Sequence, residues 1–311
     1  MNRILTYYIE ETHSNLTIDK FLRSKGYSRQ NITDLKKMNE SIVLNDKWVH
    51  INKILNTGDK LIIHIQENNS SMRIPPVNIP IDIIYEDEDI IVVNKPAGMP
   101  VHPSIDNYTN SLGNALAYYY ENQGKPFIFR CTNRLDKDTS GLTVVAKNML
   151  SASLMSAAIR EHNLTREYNA IVCGHPTPSN GTINAPIARK DASIIEREVN
   201  FETGDNAITH YNVVSSYNDY SLVHIILETG RTHQIRVHMK YIGCPLVGDR
   251  LYNTKLSNDN TFNIEETHST YTIKRQALHC QRLSFKHPIT GKDLVFEAPL
   301  PDDMRFLLEN Q

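Results

Sequence analysis

The stretch from residue 68 to 80 constrains this chain more than any other. Asn68-Asn69-Ser70-Ser71, followed by Pro75, Pro76 and Pro80, can neither continue a helix nor sit inside a sheet. It divides the 311 residues into a short leading unit, 1–67, and a long trailing one, 81–311, with 68–80 as linker. In the leading unit, apolar residues from Leu16 to Gly26 fall at helical spacing, with Ile18, Phe21 and Leu22 on one side and Gly26 as the stop. Ser28 is placed to cap a second helix through Ile32 and Leu35. Short strands are expected at 42–44, 49–51 and 61–65, separated by turns at Asn45-Asp46 and Gly58-Asp59. In the trailing unit, strands at 81–85 and 90–93 flank Glu86-Asp87-Glu88-Asp89, which reads as a solvated hairpin turn rather than a metal site. A helix over 149–159 is capped by Asn148, and 168–172 and 222–227 read as strands. Helices and strands mix without a regular βαβ alternation, so the expected class is α+β with a mainly antiparallel sheet. The polar stretch 253–271 lacks periodicity and reads as a mobile surface insertion.

Composition excludes several functions. A formal charge of −2 and a pI near 6.7 argue against a globally basic nucleic-acid coat, so any nucleic-acid contact must use a local basic surface. Cys131, Cys173, Cys244 and Cys280 are scattered without ligand spacing and read as reduced thiols, with no zinc site. The start of the chain meets Glu10 and Glu11 before a signal-length apolar segment can form, and no run reaches membrane-spanning length. A cytoplasmic protein with no membrane contact is expected.

Residues 134–141, Arg-Leu-Asp-Lys-Asp-Thr-Ser-Gly, stage one carboxylate, Asp136, on a turn that enters the apolar run 142–146. A carboxylate on a loop before a strand can point into a cleft, where reactive groups usually sit. Residues 230–239, Gly-Arg-Thr-His-Gln-Ile-Arg-Val-His-Met, gather several kinds of donor, and 93–103 form a rigid Pro/Gly loop after an apolar strand. His233 and His238 are five apart, do not share a helix face as an i,i+4 pair would, and have no third ligand nearby. They read as braces for the loop and helix that carry Arg231.

With Arg166-Glu167-Tyr168, residues 247–252 (Val-Gly-Asp-Arg-Leu-Tyr) and Gln276-Ala277-Leu278-His279, these segments resemble the RluA-type family of RNA pseudouridine synthases, in that family's order, over residues 80–300. The resemblance implies isomerisation of uridine: the bond from ribose C1′ to uracil N1 breaks, the base turns, and C5 joins C1′, without hydrolysis, redox change or cofactor. It implies that Asp136 is the essential carboxylate, either attacking C1′ or abstracting a proton from C2′. A carboxylate taken out of water is neutralised unless a cation stands by, and Arg231 matches the arginine that forms this ion pair. Tyr168 matches a tyrosine that stacks on the extruded uracil. Arg134 matches a side chain that enters the space the base vacates, Leu278 lines the uracil pocket, and Lys95 and His102 belong to a loop that can touch RNA phosphate. Where the family has His before Arg-Leu-Asp, this chain has Asn133, whose amide can still brace the loop.

The leading unit resembles an S4-type RNA-binding module, with Arg23, Lys25, Arg29, Lys36 and Lys37 as its implied phosphate contacts. It is only mildly basic, with ten Lys/Arg against eight Asp/Glu over residues 1–70. The implied partner is RNA, ribosomal large-subunit RNA first and transfer RNA as alternative, for an enzyme expected to be a monomer. Two other readings stay open: an RNA-binding protein or RNA chaperone of the same fold without catalysis, and a glycoside hydrolase. The latter wants two carboxylates at a defined separation, and only Asp138 is near.

Overall fold

The computed structural model describes residues 1–191, 193–253 and 273–309, so the insertion read at 253–271 lies outside the described residues except for Asn253. The leading unit contains β1 (Asn2–Tyr8), α1 (Ile18–Ser24), α2 (Arg29–Lys37), β2 (Ile42–Leu44), β3 (Lys47–Trp48) and β4 (Lys60–Gln66). Its sheet runs β1-β4-β2-β3, antiparallel throughout. Alternation sets β4: Leu61, Ile63 and Ile65 are buried in one cluster with Phe21, Leu22, Ile32 and Leu35 from the two helices. Ser28 Oγ caps α2 by accepting from the Asn31 amide, and Gly26, at φ 84°, ends α1 in the left-handed conformation that glycine tolerates.

Two strand readings change. β1 is an unanticipated strand, paired with β4 from Asn2↔Gln66 to Tyr8↔Lys60. The strand expected at 49–51 forms earlier, at Lys47–Trp48. Asn45 and Asp46 both take positive φ, 49° and 62°, which makes the tight turn that returns the chain at once.

The trailing unit follows with β5 (Asp82–Glu86), β6 (Ile90–Lys95), α3 (Leu112–Glu121), β7 (Arg130–Cys131), β8 (Ser140–Ala146) and α4 (Met149–Arg160). Next come β9 (Leu164–Cys173), β10 (Asn180–Asn184), β11 (Ile187–Arg189), β12 (Arg197–Val199), β13 (Ile208–Ser216) and β14 (Tyr220–Leu227). α5 (Gln234–Tyr241), β15 (Leu278–Lys286), β16 (Asp293–Glu297) and α6 (Asp302–Glu309) complete it. The large sheet runs β10-β13-β14-β9-β15-β8-β6-β5, with β16 on β15 and β7 on β8. Among the described residues only β15 and β8 pair in parallel, so the class is α+β with a mainly antiparallel sheet. β6 and β8 read as continuous apolar runs because both their faces are covered. Ile90, Val92, Leu142 and Val144 join one core cluster, whereas Ile91, Val93 and Val145 join another with Leu112, Leu116 and Tyr120 of α3.

α4 serves both units. Met149 and Leu150 complete the leading core, and Asn31 Nδ2 donates to the Met149 carbonyl at 2.9 Å. The segment read as a linker is laid along the trailing unit: Ser71 Oγ accepts from the Phe129 amide at 2.9 Å, and Asn114 Nδ2 donates to the Pro75 carbonyl at 2.7 Å. The acidic turn does join β5 to β6, but it is not simply solvated. Asp89 is 2% exposed and bonded by Arg3, Glu86 accepts from Lys147 at 2.6 Å, and His287 Nε2 lies 2.8 Å from Asp87. Its carboxylates are met by Arg3, Lys147 and His287, which the fold brings from distant parts of the chain. Among the described residues, no helix is long and apolar enough to cross a membrane.

Candidate active site

Asp136 stands on the loop between β7 and β8. Leu135 beside it is buried in the main core, which anchors the loop and turns its neighbours outward. Asn133 braces the loop from behind: its Nδ2 donates to the Leu142 carbonyl at 3.2 Å, and its Oδ1 accepts from the Val144 amide at 2.6 Å. The amide that replaces the family's histidine thus makes the bracing bonds the sequence allows.

The cation at Asp136 is Arg236, not Arg231. Arg236 Nη1 donates to Asp136 Oδ2 at 3.1 Å, while its Nε and Nη2 grip both oxygens of fully buried Asp249 at 2.7 and 2.9 Å. Its guanidinium also lies 4.9 Å from the Tyr252 ring centre. Burial opposes the charge, but the hydrogen bonds and charge of Asp249, then those of Asp136, raise the arginine's pKa. Arg231 precedes α5 and turns outward, donating to the Asn206 carbonyl at 3.0 Å and meeting Asp205 at 3.4 Å. The two arginines are separated by the onset of α5, which turns Arg236 toward the loop of Asp136 and leaves Arg231 at the rim.

His233 is the left-handed residue at the start of α5, with φ 59°. Its Nδ1 lies 2.8 Å from the Tyr252 hydroxyl and its Nε2 3.8 Å from Asp136. Burial lowers its pKa, against the opposing charge of Asp136. His238 is fully buried, with Nε2 donating to the Ala185 carbonyl at 2.8 Å and Nδ1 facing the Thr209 hydroxyl at 2.9 Å. It holds α5 against the neighbouring strand.

Lys95 points into the protein. It is fully buried, and its Nζ donates to the carbonyls of Pro96 and Met99, both at 2.8 Å, and Lys137 at 3.0 Å. Burial depresses its pKa to about 7, against the raising charges of Asp138 and Asp136. The proline-rich turn folds its carbonyls back onto the ammonium, so Lys95 ties that turn to the loop of Asp136.

A cavity of about 480 Å³ opens over Asp136 and is walled by Tyr168, Leu278, Arg134, His102 and Arg166. Tyr168, on β9, is buried, and that burial pushes its phenol well above the ordinary value, so it carries its proton at neutral pH. His102 sits at the rim, edge-on to Phe129 with ring centres 4.9 Å apart. Arg166 Nη2 donates to the Thr229 carbonyl at 3.2 Å, while its buried Nε has no partner among the described residues. Gly230 admits it, because a Cβ there would lie 2.5 Å from Arg166 Nη1. The cavity therefore brings together Asp136, Tyr168, Arg134, Leu278, His102 and the outward Arg231, and leaves Lys95 behind its wall.

The leading-unit cations are elsewhere. Arg23, Arg29, Lys36 and Lys37 are exposed, with Arg23 paired to Asp19 at 2.8 Å and Lys37 to Asp34 at 3.6 Å. Lys25 lies over the Phe21 ring at 5.3 Å. Sequence reasoning missed Arg236, Asp249, Tyr252 and Arg166 as site residues, although all four fall inside the segments singled out at 166–168, 230–239 and 247–252.

Comparison with known proteins decides what this arrangement belongs to. Residues 89–241 match the family of RNA pseudouridylate synthases. Over 95% of its length the chain is 37% identical to YjbO of Bacillus subtilis (strain 168), named as an uncharacterized RNA pseudouridine synthase, and the match covers 99% of that protein. This chain belongs to the RluA-type RNA pseudouridine synthases. It is also 40% identical to ribosomal large subunit pseudouridine synthase D of Buchnera aphidicola, over 94% of this chain and 93% of that one. The solved structure of human RNA pseudouridylate synthase domain containing 4 superposes with a TM-score of 0.58 at 26% identity, covering 74% of this chain and 92% of the human one. As a pseudouridine synthase the enzyme is an isomerase.

Proposed function

We propose that this synthase isomerises uridines of large-subunit ribosomal RNA in the cytoplasm, with Asp136 as the carboxylate that starts glycosidic cleavage on a flipped-out nucleotide. The observation that carries this reading is the position of Asp136. It lies in the cavity wall, 27% exposed, with Arg236 at 3.1 Å and that arginine locked from its other side by Asp249. An arginine does not deprotonate, so the charge beside Asp136 is permanent. Tyr168 and Leu278 supply an apolar wall for the uracil ring, and the phenol of Tyr168 can relay the proton that leaves C5. Arg134 enters the gap left in the RNA stack; extrusion costs a few kcal/mol, and such a side chain helps offset it. The protons balance, since the one lost from C5 is matched by the one gained at N1.

Large-subunit RNA is favoured because relatives from Buchnera, Pasteurella multocida and Haemophilus influenzae carry that substrate in their names, at 36–40% identity. In this reading residues 1–67 form the RNA-docking module, using Arg23, Lys25, Arg29, Lys36 and Lys37, while 81–311 carry the chemistry and the chain works as a monomer. The test is tritium release from RNA labelled at uracil C5, with ribosomal and transfer RNA offered separately to wild type and Asp136→Ala. Release from ribosomal RNA by wild type alone is expected. Release only from transfer RNA would move the substrate, and release by Asp136→Ala would remove the aspartate from the chemistry.

A further inference from the structure

A second cavity, of about 500 Å³, adjoins the first and shares Arg134, Gly230, Arg231 and Thr232 with it. Its far wall is the two-stranded ribbon of β11 and β12, where Arg189 and Arg197 are direct cross-strand partners. Directly opposed residues of an antiparallel pair project from one face, and like charges in that position repel. The next pair along the ribbon shows the usual solution: Lys190 faces Glu196 at 2.9 Å. Arg189 and Arg197 keep their like charges, and both line the cavity. Arg197 Nη1 donates to the carbonyls of Ile195 and Glu196, at 3.1 and 3.0 Å, which fixes its guanidinium without neutralising it. With Arg134 and Arg231, the cavity wall carries, among the described residues, four arginines against one acid, Asp205, which is exposed and 3.4 Å from Arg231.

Such a wall is stabilised by an anion with several oxygens, because guanidinium forks match tetrahedral oxyanions and the repulsion between Arg189 and Arg197 is relieved. The neighbouring cavity supplies the identity of that anion. A nucleotide extruded there remains covalently joined to phosphates on both sides, and Arg134 and Arg231 stand on the boundary between the two spaces. We propose that this basic cavity seats a backbone phosphate of the RNA strand flanking the target uridine, making β11 and β12 a clamp on the substrate; the inference rests on reading the first cavity as the uridine site. Phosphate contacts of this kind fix register without reading sequence.

The test is equilibrium binding of a short fluorescein-labelled RNA hairpin with uridines in its loop, followed by anisotropy over a range of salt concentrations. Arg189→Gln and the Arg189→Gln/Arg197→Gln double variant should raise Kd about tenfold at physiological salt, and flatten the log–log salt slope by about 0.7 for one phosphate no longer neutralised. Asp205→Asn should act in the opposite direction and tighten binding, which guards against a variant that merely misfolds. Lys286→Gln removes a charge from a surface pair outside both cavities and should leave the slope unchanged. Wild-type slopes in the arginine variants, an equal weakening by Lys286→Gln, or no binding of the hairpin by wild type would each overturn the clamp. Tritium release by wild type on the same preparation separates the two readings. Release with unaltered arginine slopes rejects the clamp alone, and flattened slopes without release reject the isomerase chemistry at Asp136 alone.

Discussion

Asp89 and Asp136 are both carboxylates held by an arginine, yet they are held in opposite ways. Asp89, on the acidic turn, receives two donors of Arg3 at 2.9 and 3.0 Å and the Asn148 amide at 2.9 Å, and its side chain is 3% exposed. Asp136 receives a single donor of Arg236 and keeps 27% of its side chain open to the cavity. The difference lies in the arginines. Arg3 brings its fork to Asp89 and touches Glu88 from the side, whereas Arg236 gives its fork to Asp249 and only a remaining nitrogen to Asp136. A carboxylate with both oxygens held and closed off from solvent is a joint. One sharing its cation with a second carboxylate has capacity left for a reacting partner.

The largest test of this contrast is Arg236→Ala, which leaves Asp249 buried without its cation. Loss of one partner from a buried pair should cost about 3–5 kcal/mol, read by urea denaturation. Arg231→Ala, at the exposed rim, should cost under about 1 kcal/mol. Equal losses would mean that the shared fork is not what distinguishes the two sites.

Acid should reach the open site from behind. His279 pairs with Ser140, where β8 leaves the loop of Asp136, and burial lowers its pKa to about 4. The unfolded chain binds this proton near 6.5 and the folded chain only near 4. Between those values the unfolded state holds more protons, so stability falls as pH drops through the window, by about 3 kcal/mol in all. Denaturation midpoints measured from pH 7 to 4 should show this slope, and His279→Gln should flatten it. A slope that survives the substitution would assign the acid sensitivity to other groups.

A smaller effect than at Arg236 or His279 is expected from Asp89→Asn, which removes the charge from the closed joint while keeping its shape. Its cost should be about 2 kcal/mol, since Arg3 stays partly hydrated and Glu88 remains beside it. Tritium release per folded molecule should match wild type. A loss of turnover without a loss of stability would make the closed joint part of the chemistry and erase the contrast.

Much of this was readable from local pattern. The caps at Ser28 and Asn148, the alternation of 61–65 and the apolar runs of β6 and β8 write their structure into adjacent residues. The loop of Asp136 was legible because its charged, apolar and turn residues are consecutive. What was not legible depends on contacts from far along the chain. Arg3, Lys147 and His287 partner the acidic turn from both sides of it in sequence. β1 buries only Leu5, so its alternation is faint, and its partner β4 lies at the far end of the unit. Arg231 and Arg236 share one segment, and which of them meets Asp136 depends on where α5 begins and on its phase. Lys95 follows an apolar run and reads as a surface cation until the turn closes over it.

α4 contributes side chains to both cores and follows β8, the strand into which the loop of Asp136 runs. If the leading module grips RNA as proposed, that sharing makes the enzyme a ruler. The span between the docked helix of RNA and the uridine it presents is then set by protein, and uridines at other distances are passed over however well their bases fit the cavity.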